Sequence, residues 1–172
     1  TIPRHRELKE NLARAIIRDE ASSSWADMRY FTKEWFLTCQ NPINENMREK
    51  LKEVSAAYRA ACERENLPEK LLEDFSFHDG VVSSITMNAD CTLSICSPFS
   101  NYHTLIFRDA ILKQDLPTVG AEWLYEELYR HKSGIGYEAH ILFYAPTGAA
   151  HKRIQKTDLL DSKIICSEIL IR

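Results

Sequence analysis

The chain has 172 residues, 44% of them hydrophobic and 27% charged, with a formal net charge of −3. A single domain of ~150 residues buries roughly 70% of its unfolded surface, so this length supports a real core, and the composition excludes disorder over most of the chain. Charge is balanced in both halves, which leaves no basic stripe for nucleic acid and no acidic tail, and no apolar run approaches the ~20 residues of a membrane span.

Residues 1–20 have the pattern of an amphipathic helix, with Leu8, Leu12 and Ile16 repeating every four positions. Ser22, Ser23 and Ser24 break it, so residues 1–27 are expected to form a helical N-terminal extension dispensable to an α+β domain over 28–172. In 28–36, Phe31 stands four before Trp35 and Thr32 four before Phe36, which predicts a helix with an aromatic ridge, ended by Asn41 and Pro42. Asn44 is placed to cap a second helix. Met47, Leu51, Val54, Tyr58 and Ala61 or Cys62 carry its 3–4 period to about Asn66, and Pro68 suits the start of a short third helix through Leu71 and Leu72.

From Phe77 the period changes to two. Val81, Ser83, Ile85 and Met87 are expected on one face, Leu93 and Ile95 alternate against Thr92, Ser94 and Cys96, and Leu105, Phe107 and Ile111 fall near one face of 103–111. Residues 122–130 fit a helix or a strand; the loop with Gly134 and Gly136 selects a strand, hairpinned to 137–144. A polar strand about Ile154 is predicted over 151–157 and a last strand over 162–171. The predicted fold class is α+β: N-terminal helices (28–74) packed on an antiparallel β-meander of six to seven strands (75–172), with connections too short for parallel crossovers.

The five cysteines, Cys39, Cys62, Cys91, Cys96 and Cys166, are odd in number and scattered. Cys91 and Cys96 on one extended strand stand ~16 Å apart, beyond the ~7 Å a disulfide allows. Reduced cysteines in a cytoplasmic protein are the expectation.

Few residues suggest chemistry. His78 and Asp79 form a candidate base with its orienting carboxylate, but neighbours on a strand face opposite ways, and only a bend at Gly80 would bring them together. The simpler account has Asp79 bonding backbone amides in a turn and His78 packed. His103, His140 and His151 match no compact zinc spacing, so neither a metal nor another cofactor is implied. Gly134 and Gly136 lack the third glycine and the following helix of a phosphate loop. Trp123, Tyr125, Glu127 and Tyr129 interleave aromatics with carboxylates, a mix that anchors a protein partner if exposed and completes the core if not.

Four stretches carry a resemblance. Met-Arg-Tyr-Phe-Thr-Lys-Glu-Trp at 28–35, His-Asp at 78–79, Trp-Leu-Tyr-Glu-Glu at 123–127 and Gly-Tyr-Glu-Ala-His at 136–140 resemble an uncharacterised bacterial family, common in Firmicutes, whose members open with Met-(Lys/Arg)-Tyr-Phe-Thr-Lys-Glu-Trp. The likeness covers scattered pieces of 28–172 and implies Met28 as a natural start, but carries over no activity. The His-Asp strand start followed by a meander is also similar, more loosely, to small toxin-immunity proteins. The favoured expectation is a cytosolic interaction protein of toxin-immunity type, without catalysis, binding a protein partner through Trp123, Tyr125, Glu127 and Tyr129. The alternative is a hydrolase or metal-dependent enzyme using His78 and Asp79 with a distant histidine such as His140.

Overall fold

The computed structural model describes residues 28–40, 47–98, 101–146 and 153–172. The expected helix over 1–20, the break at Ser22–24, and the signals at Asn41, Pro42 and Asn44 lie outside the described residues. Within them the chain is α+β. Three helices, α1 (Lys33–Cys39), α2 (Met47–Arg64) and α3 (Glu69–Asp74), precede an antiparallel sheet of eight strands. These are β1 (Val81–Met87), β2 (Cys91–Cys96), β3 (Tyr102–Arg108), β4 (Ile111–Leu112), β5 (Glu122–Arg130), β6 (Tyr137–Tyr144), β7 (Leu159–Cys166) and β8 (Glu168–Ile171), in the order β4-β7-β6-β5-β1-β2-β3-β8.

The strand count exceeds the six to seven expected because two predicted strands bend. Asp109 takes a left-handed φ of 51° and its N–H donates to Asp90 Oδ1 at 3.0 Å, which breaks 103–111 into β3 and β4 and turns Ile111 away from Leu105 and Phe107. Ser167 interrupts 162–171 between β7 and β8, its N–H donating to the Arg108 carbonyl at 2.9 Å. The two broken strands face each other in one register, Leu105 opposite Ile171 in the β3–β8 half and Leu112 opposite Ile164 in the β4–β7 half. The sheet's two edges are therefore continuations of its own inner strands, and it closes on itself as a barrel.

Alternation fills that barrel. Leu93, Ile95, Leu105, Phe107, Leu128, Ile141, Phe143 and Ile164 point inward and are fully buried. Trp123 packs among them, its ring centroid 5.3 Å from Phe143 and 5.6 Å from Phe75, which enters with Phe77 from the end of α3. In β1 a bulge between Val82 and Ser84 overturns the expected face: Val82 is buried, Val81 is exposed, and only Ile85 of the predicted set packs on the core. A second bulge, between Trp123 and Tyr125, shifts β5 against β6.

Closure is loosest between β1 and β5, which share one register pair, Val81 with Glu122. Beyond it α2 takes the place of a strand. The Leu128 N–H donates to the Tyr58 hydroxyl at 2.6 Å and the Arg130 N–H to Glu65 Oε2 at 2.6 Å, satisfying backbone donors that a neighbouring strand would otherwise accept. α2 packs from Val54 onward: Val54 and Tyr58 are partly buried and Ala61 and Cys62 buried, whereas Met47 and Leu51 of the same periodic stripe are exposed.

A second apolar layer covers the outer face of β5, β6 and β7, where Met28, Phe31 and Phe36 pack on Leu124, Leu142 and Leu159. The helix expected from residue 28 starts only at Lys33. Thr32 is its N-cap, the side chain accepting from the Trp35 N–H at 3.1 Å, and residues 28–31 run outside the helix as a strap. The polar strand expected over 151–157 is absent from its described part, residues 153–157, because Asp158 Oδ2 accepts from the Gln155 N–H at 2.9 Å and folds Lys156–Asp158 into a 3-10 turn. Among the described residues no helix is long and apolar enough to cross a membrane.

Candidate functional site

Residues 77–80 form a tight turn at the barrel mouth. The Gly80 N–H donates to the Phe77 carbonyl at 2.8 Å and Asp79 adopts a φ of 64°, a conformation aspartate tolerates. The turn is pinned to β5: the Asp79 N–H donates to the Trp123 carbonyl at 2.8 Å, and the Trp123 N–H donates to the Gly80 carbonyl at 2.7 Å. Glycine is required at 80, since a Cβ there would stand 2.6 Å from Ile95 Cγ2 and 2.8 Å from the Phe77 oxygen. The bend brings the two side chains together, His78 Nδ1 lying 2.9 Å from Asp79 Oδ1, with about half of each exposed. The His78 ring meets Tyr125 edge-on at 5.1 Å.

Beside this turn lies Glu126, a carboxylate that the period-two reading of 122–130 leaves on a solvated face. The β5 bulge carries Glu126 to the same side as Trp123, whose indole Nε1–H donates to Glu126 Oε2 at 2.6 Å. Burial pushes the Glu126 carboxyl up to about 7; the hydrogen bonds from Trp123 and Ser76 and the nearby His78 offset only part of that. Glu126 stands at one side of a pocket of about 340 Å³ walled by Phe31, Tyr58, Phe75 and Tyr125, with Arg59 of α2 also lining it. Burial also pushes the Tyr125 hydroxyl upward, with charge on Cys39, Asp79 and Glu126 adding to it, and burial does the same to Tyr58. Both phenols stay neutral hydrogen-bonding groups. A carboxyl that changes protonation near neutrality, set among rings, is what this geometry offers chemically.

The four residues expected to form one exposed surface separate instead. Trp123 is inside the barrel, Glu127 and Tyr129 are buried on its outer face beneath the strap, and only Tyr125 keeps partial exposure. Glu127 is a structural anchor. Its Oε1 accepts the N–H groups of Tyr30 and Phe31, each at 2.7 Å; its Oε2 accepts the Arg29 N–H at 2.8 Å and the Tyr129 hydroxyl. The Arg29 guanidinium lies 4.6 Å over the Tyr129 ring.

His140 is not brought to His78. Its Nε2 bonds Glu138 Oε1 at 2.8 Å, Lys163 Nζ bonds the same oxygen at 2.6 Å, and the His140 ring meets Tyr129 edge-on. Burial alone would raise the Glu138 carboxyl, but these two hydrogen bonds and the Lys163 charge overcome it and hold the group down to about 2. Among the described residues no group of three or more histidine, cysteine, aspartate or glutamate side chains could hold a metal ion. Comparison with known proteins gives no match to a family model, a curated protein or a solved structure.

Nothing in the period-two pattern marks Glu126, because strict alternation places it opposite Trp123; only the bulge reverses that. Its spacing of three from a tryptophan was the available signal, and it has meaning only once the bulge is placed.

Proposed function

We propose that the protein is a binding protein whose ligand, a small molecule, sits in the pocket at the barrel mouth. The observation that supports it best is Glu126 itself: a carboxyl set against aromatic walls in a cavity of about 340 Å³, within the ~300–1,000 Å³ of ordinary ligand pockets. Such a group fixes the orientation of a ligand while the rings supply most of the contact area. Of the four residues expected to meet a protein partner, including one of toxin-immunity type, Trp123, Glu127 and Tyr129 are buried, which leaves Tyr125, beside His78, as the one a partner could reach. All five cysteines are free, which fits a reducing, cytosolic setting.

A library of small fragments screened by ligand-observed NMR tests the reading. Fragments should bind wild type and lose binding to Ser55→Trp, which narrows the pocket from α2. Absence of any fragment sensitive to that change would overturn the proposal. A second reading, a hydrolase using His78 and Asp79, is favoured by one observation: the imidazole–carboxylate pair is formed and lies against Tyr125, a wall of the same pocket. It expects turnover of an ester panel that disappears in His78→Ala; turnover unchanged in that variant rules it out.

A further inference from the structure

We infer that the ligand of this pocket is a monocationic amine with a single apolar body, its ammonium held by the Glu126 carboxylate and its body by the surrounding rings; the inference rests on the pocket being the ligand site. The charges facing the space decide the sign. Glu126 is the acidic lining residue and Arg59 the basic one. Glu126 lies at the barrel end of the pocket, bonded to the Trp123 indole, whereas Arg59 is on the exposed side of α2, where water and salt screen it. A carboxylate oxygen has two lone pairs, so the Trp123 N–H leaves room for an ammonium donor. Phe31, Tyr58, Phe75 and Tyr125 line the same space and supply the contact area for the apolar body. With Glu126 the one carboxyl in the lining, one positive charge is what the site can pair. The volume, near the lower end for ligand pockets, matches a body of about one ring.

The remaining groups around Glu126 do not compete for the role. His78 approaches from the 77–80 turn and is about half exposed, Ser76 and Trp123 are hydrogen-bond donors, and Tyr58, Cys62 and Tyr125 have their ionisation pushed upward by burial and remain neutral. An ammonium can pair only with the ionised carboxyl, so seating it expels the proton from Glu126. Affinity for an amine should therefore rise by about tenfold per pH unit up to about 7 and level off above that.

The experiment is calorimetric titration of the full chain, and of Glu126→Gln, with phenethylamine, phenethyl alcohol and phenylacetate at pH 5, 6, 7 and 8. The expected result is that phenethylamine binds at least about tenfold more tightly than phenethyl alcohol at pH 8, that phenylacetate does not bind, and that Glu126→Gln removes the amine's advantage over the alcohol. If the alcohol or phenylacetate binds as tightly as the amine, the pocket stands and the amine class falls. If none of the three binds, both fall. Should Glu126→Gln not fold, the wild-type series decides alone: amine affinity independent of pH between 5 and 7 overturns the inference.

Discussion

Replacing Glu127 by glutamine tests whether a buried carboxylate holds the 28–31 strap in place. Four donors converge on that group: the N–H groups of Arg29, Tyr30 and Phe31 and the hydroxyl of Tyr129. In Glu127→Gln the amide oxygen can keep Tyr30 and Phe31, but the amide nitrogen then faces the Arg29 N–H, donor against donor. One buried donor left unpaired costs about 1–3 kcal/mol, and removing the charge weakens the surviving bonds, since charge-assisted bonds are roughly twice as strong as neutral ones. The sum is about 3 kcal/mol. For a protein of this length that lowers Tm by about 9 °C, at about 2–4 °C per kcal/mol. The strap can escape part of the penalty by lifting into water, at the expense of Met28 and Phe31, whose burial contributes about 2–3 kcal/mol each. Thermal unfolding followed by circular dichroism measures the total, and amide hydrogen exchange at 29–31 shows which route the molecule takes. Tyr129→Phe, which removes one donor of the four, should cost about 1 kcal/mol. A Glu127→Gln protein with Tm within about 2 °C of wild type and amides 29–31 still protected would refute the anchoring argument.

Two carboxyls should bend the stability–pH curve in opposite senses. Glu138 is held below its ordinary 4.5, so its contribution is present above that pH and is lost as pH falls toward about 2; Glu138→Gln should flatten the acid limb of urea-unfolding midpoints over that window. Glu126 is held above 4.5, so the folded state binds the extra proton and stability falls as pH rises from about 4.5 to about 7; Glu126→Gln should remove that fall, and an unchanged slope would contradict the burial assigned to it. The β5–β6 loop gives a steric comparison. Gly136→Ala would place a Cβ 2.1 Å from the Cys166 oxygen at a φ of 77°, whereas Gly134→Ala, at a φ of 75°, meets nothing within 4 Å. Gly134→Ala should cost about 1–2 kcal/mol of backbone strain and Gly136→Ala clearly more in chemical denaturation; equal costs would argue against the close approach of that loop to the β7–β8 corner.

Where the pattern was strong and local, the sequence was a sound guide. The span 122–130 and its hairpin partner 137–144 coincide with β5 and β6, and the 3–4 period from Met47 marks α2, overrunning its end at Arg64 by about two residues. What escaped were one-residue departures and distant partners. A bulge at Ser83 or Leu124 leaves composition and mean period unchanged yet reverses which side chains enter the barrel, and it took Glu126 with it. The bends at Asp109 and Ser167 depend on bonds to Asp90 and Arg108, far away in the chain. Glu127 was misplaced for the same reason: its partners are backbone amides nearly a hundred residues earlier, and backbone donors have no signature in sequence. His78 and Asp79 fall between these cases: Gly80 allowed the bend that joins them, but the account the sequence favoured, with His78 packed, does not hold, since both side chains are about half exposed and pair with each other.

The substitution of α2 for a strand beside β5 has a consequence for how the protein fares in a crowded solution. A strand edge with unclaimed N–H groups is a template on which any extended chain can add, and sheet proteins usually defend it with charge, bulges or closure. Here the defence is a tyrosine hydroxyl and a glutamate carboxylate borrowed from a helix, two side-chain acceptors in place of a ladder. Partial release of α2 would therefore do more than loosen a helix. It would uncover β5 with its donors facing outward while the rest of the barrel remained intact, leaving a nearly native molecule able to recruit its own kind.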